Sequence, residues 1–520
     1  MAAIDDVNAS VGMPTPASGT ATTKQIRGSS LLLGGRLIAL VVNLLVQVLI
    51  VRSLSQTEFG AFAYALSLVT LCETIVTFGL DRGLGRFLAV YDERRDDRRI
   101  LGTLVMVLAT VLGLGLALVL VVVGFRGAVL GVGVANTEAA ALLAILIVLA
   151  PIQALDNLLG GALAVFANAR SIFVRKYVVG PGLRLAVVLL LVAGGFGAEF
   201  LALGYVVTGF VGVLLYGALL LRVLRARGIL AAVRWRDAQI PGREILVFTI
   251  PLLTTDLVYI ALQTTDALIL GHYWGADAVA EYRVIQPLVH LNLIVYSSFT
   301  ILYLPAASRL FARGERDGVA QLYWRTAIWM AVVSFPIFAL TTALAEPVTV
   351  ALFEERYAGS AVYLAILSVA AYMNVALGFN GLTLRVYGLV RYTVAINLIA
   401  AAVSVVLNLA LIPVWGPMGA AVSTAAALIG FNLLKQAGLR RGTGISVFDR
   451  RYAWVYGVIG LATVAIGVVQ LAIRPGLILS VLLAAVASAV VLIATRRALD
   501  VAGMFPEVLR LPFGRRIFGV

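Results

Sequence analysis

Long apolar runs, each close to the length of a bilayer crossing and separated by short arginine-rich turns, constrain this chain more than any other feature. The stretch from Leu101 to Val123 is near the ~20 residues that a helix needs to cross the hydrocarbon layer. Backbone polar groups find no water in lipid, so a spanning segment of this kind satisfies them within its own helix. Of the 520 residues, 61% are hydrophobic and only 13% charged. A soluble chain of this size would need far more polar surface to cover its core. Lipid therefore replaces water as the outer solvent, and the rule of one domain per ~150 residues gives way.

Apolar periodicity predicts helices at about 29–51, 60–80, 100–124, 139–165, 172–195 and 199–223. A second set follows at about 244–271, 278–305, 322–345, 358–380, 388–413, 417–437, 452–472 and 476–495. The fold class expected is an all-α membrane protein of about fourteen transmembrane helices. Arginine placement checks the count, because a missed helix would invert the alternation of basic and non-basic loops. Clusters at Arg82–Arg99, Arg170–Lys176, Arg222–Arg243, Arg309–Arg316, Arg385–Arg391, Lys435–Arg451 and Arg496–Arg516 all fall on one side. The opposite loops hold only Arg52, Arg126, Arg283, Arg356 and Arg474. The positive-inside rule makes the first side cytoplasmic, and an even helix count puts both termini there.

The formal charge of +14 does not point to nucleic acid. The cations sit in short clusters between apolar spans rather than on one folded face, as cytoplasmic loops beside anionic lipid would place them. Cys72 is the single cysteine and His272 and His290 the only histidines, so no disulfide within the chain and no metal-ligand spacing is expected. Neither a cofactor motif nor a nucleotide-binding loop is present. Residues 1–28 read as a polar, disordered cytoplasmic tail, and 496–520 as a second cytoplasmic tail at the interface.

The basic linker at 224–243 divides the rest into a six-helix lobe at 29–223, a second at 244–437 and an extra helix pair at 438–495. A weak internal echo accompanies this division. Arg52-Ser-Leu-Ser-Gln-Thr-Glu-Phe-Gly60-Ala-Phe lies between the first two predicted helices, and His272-Tyr-Trp-Gly-Ala-Asp-Ala-Val-Ala-Glu-Tyr282 between the seventh and eighth. Two halves in the same orientation are parallel repeats, which place a site at their interface.

Several segments carry a family resemblance. They are Arg52-Ser-Leu-Ser-Gln-Thr-Glu-Phe-Gly60, then Phe78-Gly79-Leu80 with Arg86-Phe87-Leu88-Ala89-Val90-Tyr91. Next come Phe248-Thr-Ile-Pro251 with Thr265-Asp266 and Leu268-Ile-Leu-Gly271, and finally Asn408-Leu-Ala-Leu-Ile-Pro413-Val-Trp-Gly416-Pro-Met-Gly419-Ala-Ala. In order and spacing the set resembles the polysaccharide-exporter branch of the multidrug/oligosaccharidyl-lipid/polysaccharide flippase superfamily. That resemblance implies two six-helix lobes around a central cavity, often followed by two extra helices. It also implies movement of polyprenyl-diphosphate-linked oligosaccharide from the cytoplasmic to the exterior leaflet of the cell membrane, for cell-surface polysaccharides such as lipopolysaccharide. The implied partners are the lipid-linked glycan, membrane lipids and other glycan-assembly proteins of the membrane.

Ionisable groups at bilayer depth cost roughly 2.5–3.5 kcal/mol on insertion scales and mark candidate sites. Arg36 and Glu73 enter the first and second helices to similar depths and could pair; Arg36 facing a cavity would suit a diphosphate through its guanidinium fork. Asp156 and Arg184 reach comparable depths on the fourth and fifth helices, beside Pro151 and Gly180-Pro181-Gly182, and are expected to pair. Asp256 and Asp266 lie on different faces of the seventh helix. Asp266 could reach Arg283 and close the exterior side, while Arg82 and Arg86 could close the cytoplasmic side, as alternating access requires. His290 is a candidate proton-coupling group. Arg36, Arg184 and Arg283 are the candidate substrate-binding residues; Glu73, Arg82, Arg86, Asp156, Asp256, Asp266 and His290 are candidates for gating or ion coupling.

Three other functions compete. Gly79-Leu-Asp81-Arg82-Gly-Leu-Gly85-Arg86 partly mimics a major-facilitator loop signature, with the spacing wrong by one residue. Ion-coupled antiport of drugs or other small solutes is the nearer rival. A membrane glycosyltransferase or polymerase would need convergent exterior carboxylates, whereas Glu58, Glu138, Glu199 and Glu354 are scattered on short loops. The chain is therefore not expected to be an enzyme.

Overall fold

The computed structural model describes residues 35, 38–124, 137–166, 173–232, 237–446 and 448–499, and among them there is no strand. The expected tail at 1–28, residues 500–520 of the second tail, Arg36 and Arg126 lie outside these residues, whereas 496–499, expected as tail, end the last helix. The first helix, α1, is Ile38–Ser53. It is followed by α2 (Gln56–Thr77), α3 (Leu80–Glu93), α4 (Asp97–Gly124), α5 (Thr137–Leu146) and α6 (Leu149–Phe166). A π-helical turn, Val174–Val179, leads directly into α7 (Gly180–Gly194), and α8 covers Ala198–Ala226.

The turn from α1 to α2 is fixed by its own side chains. Ser55 Oγ accepts the Glu58 amide at 3.2 Å, and the Glu58 carboxylate accepts the Ser55 amide at 2.9 Å. This reciprocal capping box satisfies two donors that a helix start would otherwise leave open. Where α2 gives way to α3, Phe78 and Gly79 have φ of 53° and 68°. A Cβ at Gly79 would lie 3.0 Å from the Thr249 carbonyl oxygen, so glycine serves both the left-handed turn and the close approach. The stretch with Arg82 and Arg86, expected as a loop, is consequently the helix α3.

In the second half, α9 is Gly242–Arg283, α10 Gln286–Ala312, α11 Arg316–Thr341 and α12 Ala345–Phe353. They continue as α13 (Ser360–Ala376), α14 (Asn380–Val386), α15 (Val390–Thr443), α16 (Ala453–Ile473) and α17 (Leu477–Leu499). Helices α9 and α15, with 42 and 54 residues, are each broken by one non-helical glycine, Gly275 and Gly416. Both reverse there. In α15, Ser423 Oγ bonds Asn408 Oδ1, Tyr392 donates to the Leu434 carbonyl at 2.9 Å, and a Cβ at Gly419 would sit 2.4 Å from the Leu411 carbonyl oxygen. Residues eight apart in a straight helix would be ~12 Å apart. In α9 a Cβ at Gly271 would lie 3.3 Å from the Val279 side chain across the same kind of turn.

Among the described residues, ten helices are long and apolar enough to cross a membrane, or eleven if the bent pair Gln286–Thr300 and Leu302–Ala312 is one span. That test gives fewer than fourteen because α15 joins two arms, α1 is short, and α9 falls outside it. Burial is inverted in the way lipid requires. Leu116 on α4, Leu461 and Leu471 on α16 and Ile478 on α17 are 61%, 72%, 82% and 79% exposed, whereas Asp266, Asn292, Asn408 and Gln436 are buried. Helices α16 and α17 pack on α11 through Phe335, Val455, Ile459 and Val491. Trp329 Nε1 donates to the Leu499 carbonyl at 2.9 Å there.

The contact between the two halves runs along α2 and α3 on one side and α9 on the other. A Cβ at Gly60 would lie 1.9 Å from the Ala276 carbonyl oxygen, and one at Gly271 2.4 Å from the Tyr64 ring. Small residues let the helices approach to backbone contact. Gly60 and Ala276 belong to the two echoed turns, which touch each other directly.

Candidate functional site

Two chambers share Tyr205 of α8, and the second of them borders this seam. The first, of about 500 Å³, is lined from α6, the π turn, α7 and α8 by Gln153, Asp156, Arg175, Lys176, Arg184 and Tyr216 among others. Arg175 Nη2 donates to Asp156 Oδ1 at 2.5 Å, with its guanidinium 4.8 Å from the centre of the Tyr216 ring. The expected pair of Asp156 with Arg184 is thus corrected: Arg175, read as a loop cation, takes the carboxylate. Gly212 makes room for it, since a Cβ there would meet Arg175 Nη2 at 1.9 Å.

The π turn explains why both arginines line one chamber. Nine residues of ordinary α-helix separate side chains by about 180°. One extra residue taken up by the π turn removes about 100° of that, bringing Arg175 and Arg184 to about 80°. The Gly180-Pro181-Gly182 segment, expected to free backbone carbonyls, is helical; the irregularity lies just before it. Arg184 stacks over Tyr205, 5.7 Å from guanidinium to ring centre. Among the described residues, three cations, Arg175, Lys176 and Arg184, therefore line the chamber against one carboxylate, Asp156. Glu73, expected beside Arg36, accepts a hydrogen bond from Asn157 Nδ2 at 2.8 Å.

The second chamber, of about 340 Å³, lies between the halves and nearer the echoed turns. Its wall includes Gln47, Phe62, Gln263, Arg283, Gln286 and His290. Arg283 donates to the Gln263 carbonyl at 3.1 Å and lies 3.6 Å from Asp266. His290 Nδ1 is 2.8 Å from the Gln286 carbonyl, one turn earlier on α10. Phe62 meets Tyr205 edge to face at 5.4 Å.

The ends of the seam differ. Toward the arginine-rich end, Arg82 of α3 pairs with Asp256 of α9. Beyond it Arg86 stacks on Phe248 at 4.5 Å and the Tyr91 hydroxyl donates to Glu244 at 3.2 Å. A groove of about 860 Å³ opens there between Arg86, Arg243 and Phe248. At the opposite end, Arg52 donates to the carbonyls of Leu352 at 2.9 Å and Ala351 at 2.5 Å. Arg356 returns the contact, donating to the carbonyls of Leu54 at 3.0 Å and of Val51. Each arginine thus caps the carbonyl end of a helix in the other half, where orphan acceptors and the helix dipole favour a cation. Thr57 adds a bond to Asp277 at 2.6 Å.

A family model described as "polysaccharide biosynthesis protein" matches residues 26–311, more than half of the chain. The chain belongs to the polysaccharide biosynthesis protein family. A second model, MatE, matches residues 251–410. The fold is that of known transporters of the MOP superfamily. A solved structure of the lipid II flippase MurJ, inward closed, superposes with a TM-score of 0.68 at 13% identity, covering 89% of this chain and 98% of that one. An inward-facing multidrug resistance MATE family transporter gives 0.62 at 15% identity, covering 78% and 95%. A membrane protein of Methanocaldococcus jannaschii, described as uncharacterized, is 27% identical over 164 residues, which is 31% of this chain and 32% of that relative. The match thus spans about a third of that curated relative's length.

Seen as a member of this family, the chain is a multi-pass membrane protein whose relatives are transporters and flippases. The family's match ends at Phe311 and so covers both chambers and the seam. Sequence reasoning missed Arg175 and Lys176 because charge clusters were sorted into loops. It also missed Arg52 and Arg356 as fasteners, because exterior arginines served only to count helices. Tyr205 carried no usable signal, being one aromatic inside an apolar run.

Proposed function

We propose that this polysaccharide biosynthesis family member is a flippase for a polyprenyl-diphosphate-linked oligosaccharide, moving it from the cytoplasmic to the exterior leaflet. The observation that supports this most is the cationic excess among the described residues of the first chamber, with Arg175, Lys176 and Arg184 against Asp156. Arginine forks match phosphate oxygens in pairs, and a diphosphate brings enough charge to offset cations held at bilayer depth. A site built for lipophilic cations would carry the opposite balance. The polyprenyl tail stays in the bilayer while the headgroup enters through the groove beside Arg86 and Arg243. Transport alternates between opening the Arg82–Asp256 end and the Arg52–Arg356 end of the seam. A membrane potential or an ion gradient supplies the energy, and Glu73 or His290 couples to it.

Ion-coupled antiport of small molecules is the second reading, favoured by the intramembrane acids Glu73 and Asp156 and by the MatE match. Binding to the purified chain in nanodiscs separates the two. Polyprenyl diphosphate should bind, and Arg184→Glu should weaken it about tenfold or more, the loss of a charge-assisted contact. Saturable binding of a lipophilic cation, strengthened by Arg184→Glu, would replace the flippase reading with the antiport one.

A further inference from the structure

We infer that the second chamber is a subsite for uncharged sugar residues, separate from the cationic chamber that takes the diphosphate. This rests on the flippase reading and adds where the glycan itself is recognised. The two chambers differ in charge. Arg283, the one permanent charge among the described residues lining the second, is balanced by Asp266 at 3.6 Å. The first chamber keeps a positive excess. A headgroup with two phosphates and neutral sugars needs this division, with cations at one end and uncharged donors and acceptors at the other.

The second chamber's chemistry fits hydroxyl groups. Gln47, Gln263 and Gln286 reach it from α1, α9 and α10, and each amide both donates and accepts, as vicinal hydroxyls do. The hydroxyls of Ser67, Thr70 and Thr264 in the same wall donate to carbonyls one turn back. Phe62 and Tyr205 add aromatic surface for the apolar faces of a sugar ring. At about 340 Å³ the space is within the ~300–1,000 Å³ range of ligand pockets. Tyr205 borders both chambers, so the two lie side by side, as the joined diphosphate and glycan of one headgroup would require.

The test measures the affinity of the full chain in nanodiscs for two probes: bare polyprenyl diphosphate, and the same lipid carrying a neutral oligosaccharide. The wild type should prefer the glycan-bearing lipid. Gln263→Leu with Gln286→Leu should cut that preference about tenfold or more, and Phe62→Leu should cut it by a smaller factor. The preference is a ratio, so a partly unfolded sample does not alter it. A preference unchanged by all three substitutions would overturn the subsite. No binding of either lipid by the wild type would overturn the flippase reading itself.

Discussion

The two ends of the seam are fastened by different chemistry. At the echoed turns the bonds run from guanidinium groups to backbone carbonyls, and Gly60 lies against the Ala276 backbone. At the arginine-rich end the fasteners are side chain to side chain, in the Arg82–Asp256 pair and the Arg86–Phe248 stack, and Arg82 is 49% exposed. Water can replace a partner of an exposed ion pair at little cost. It cannot replace the fit of one backbone against another. The seam is therefore tighter at the turns than at the basic end, where a Cβ at Gly79 would lie 3.0 Å from the Thr249 carbonyl oxygen against 1.9 Å between Gly60 and Ala276.

The largest effect should come from breaking the tight end. Gly60→Leu drives a side chain into the Ala276 carbonyl, and overpacking of this kind costs about 1–3 kcal/mol or more. The melting temperature in detergent should fall by several degrees, whereas Gly85→Leu, with open space around its Cα, should leave it unchanged. Equal losses would erase the contrast. Next comes Arg175→Leu, which strands Asp156. A fully buried pair broken in this way costs about 3–5 kcal/mol; Asp156 is 30% exposed, so a loss of about 2 kcal/mol is expected. Arg175→Leu with Asp156→Asn should recover part of that loss in the same melt.

Smaller again is the effect of Arg52→Ala and Arg356→Ala, at about 1 kcal/mol each for exposed charge-assisted bonds to carbonyls. Because both arginines join the same two helix ends, the double variant should lose measurably less than the sum of the singles. Strict additivity would mean that they act independently. The smallest change in stability belongs to Asp256→Asn, at less than about 1 kcal/mol, because it leaves the half-exposed Arg82 unpaired rather than the carboxylate, which is 18% exposed. High salt should shrink the difference from wild type further. A loss larger than that of Arg52→Ala would reverse the assignment of loose and tight ends.

Much of this architecture was legible in the sequence, because lipid imposes strong rules. Apolar run length and arginine alternation gave the helices, and the glycine turns at Gly275 and Gly416 fall where exterior loops were expected. The echo between the Arg52 and His272 segments marked the place where the halves touch. Pairing was less legible. Depth pairs Asp156 with Arg184, but depth takes no account of a π turn that rotates Arg175 into reach. Glu73 was matched to Arg36, which lies outside the described residues, while its hydrogen bond comes from Asn157. Arg82 lies beyond the second apolar run, in a stretch that reads as a loop, yet α3 continues past the apolar part of α2. The Asp266 and Arg283 contact was legible because both residues flank one short turn.

The central claim is that an anionic, lipid-linked glycan crosses through the cationic chamber. Its most direct test is leaflet translocation of a fluorescent polyprenyl-diphosphate oligosaccharide in vesicles containing the wild-type chain or Arg184→Glu. The account predicts protein-dependent movement by the wild type and its loss, about tenfold or more, in a variant that still folds and inserts. Movement at the wild-type rate in Arg184→Glu, or none above empty vesicles with either protein, would contradict it.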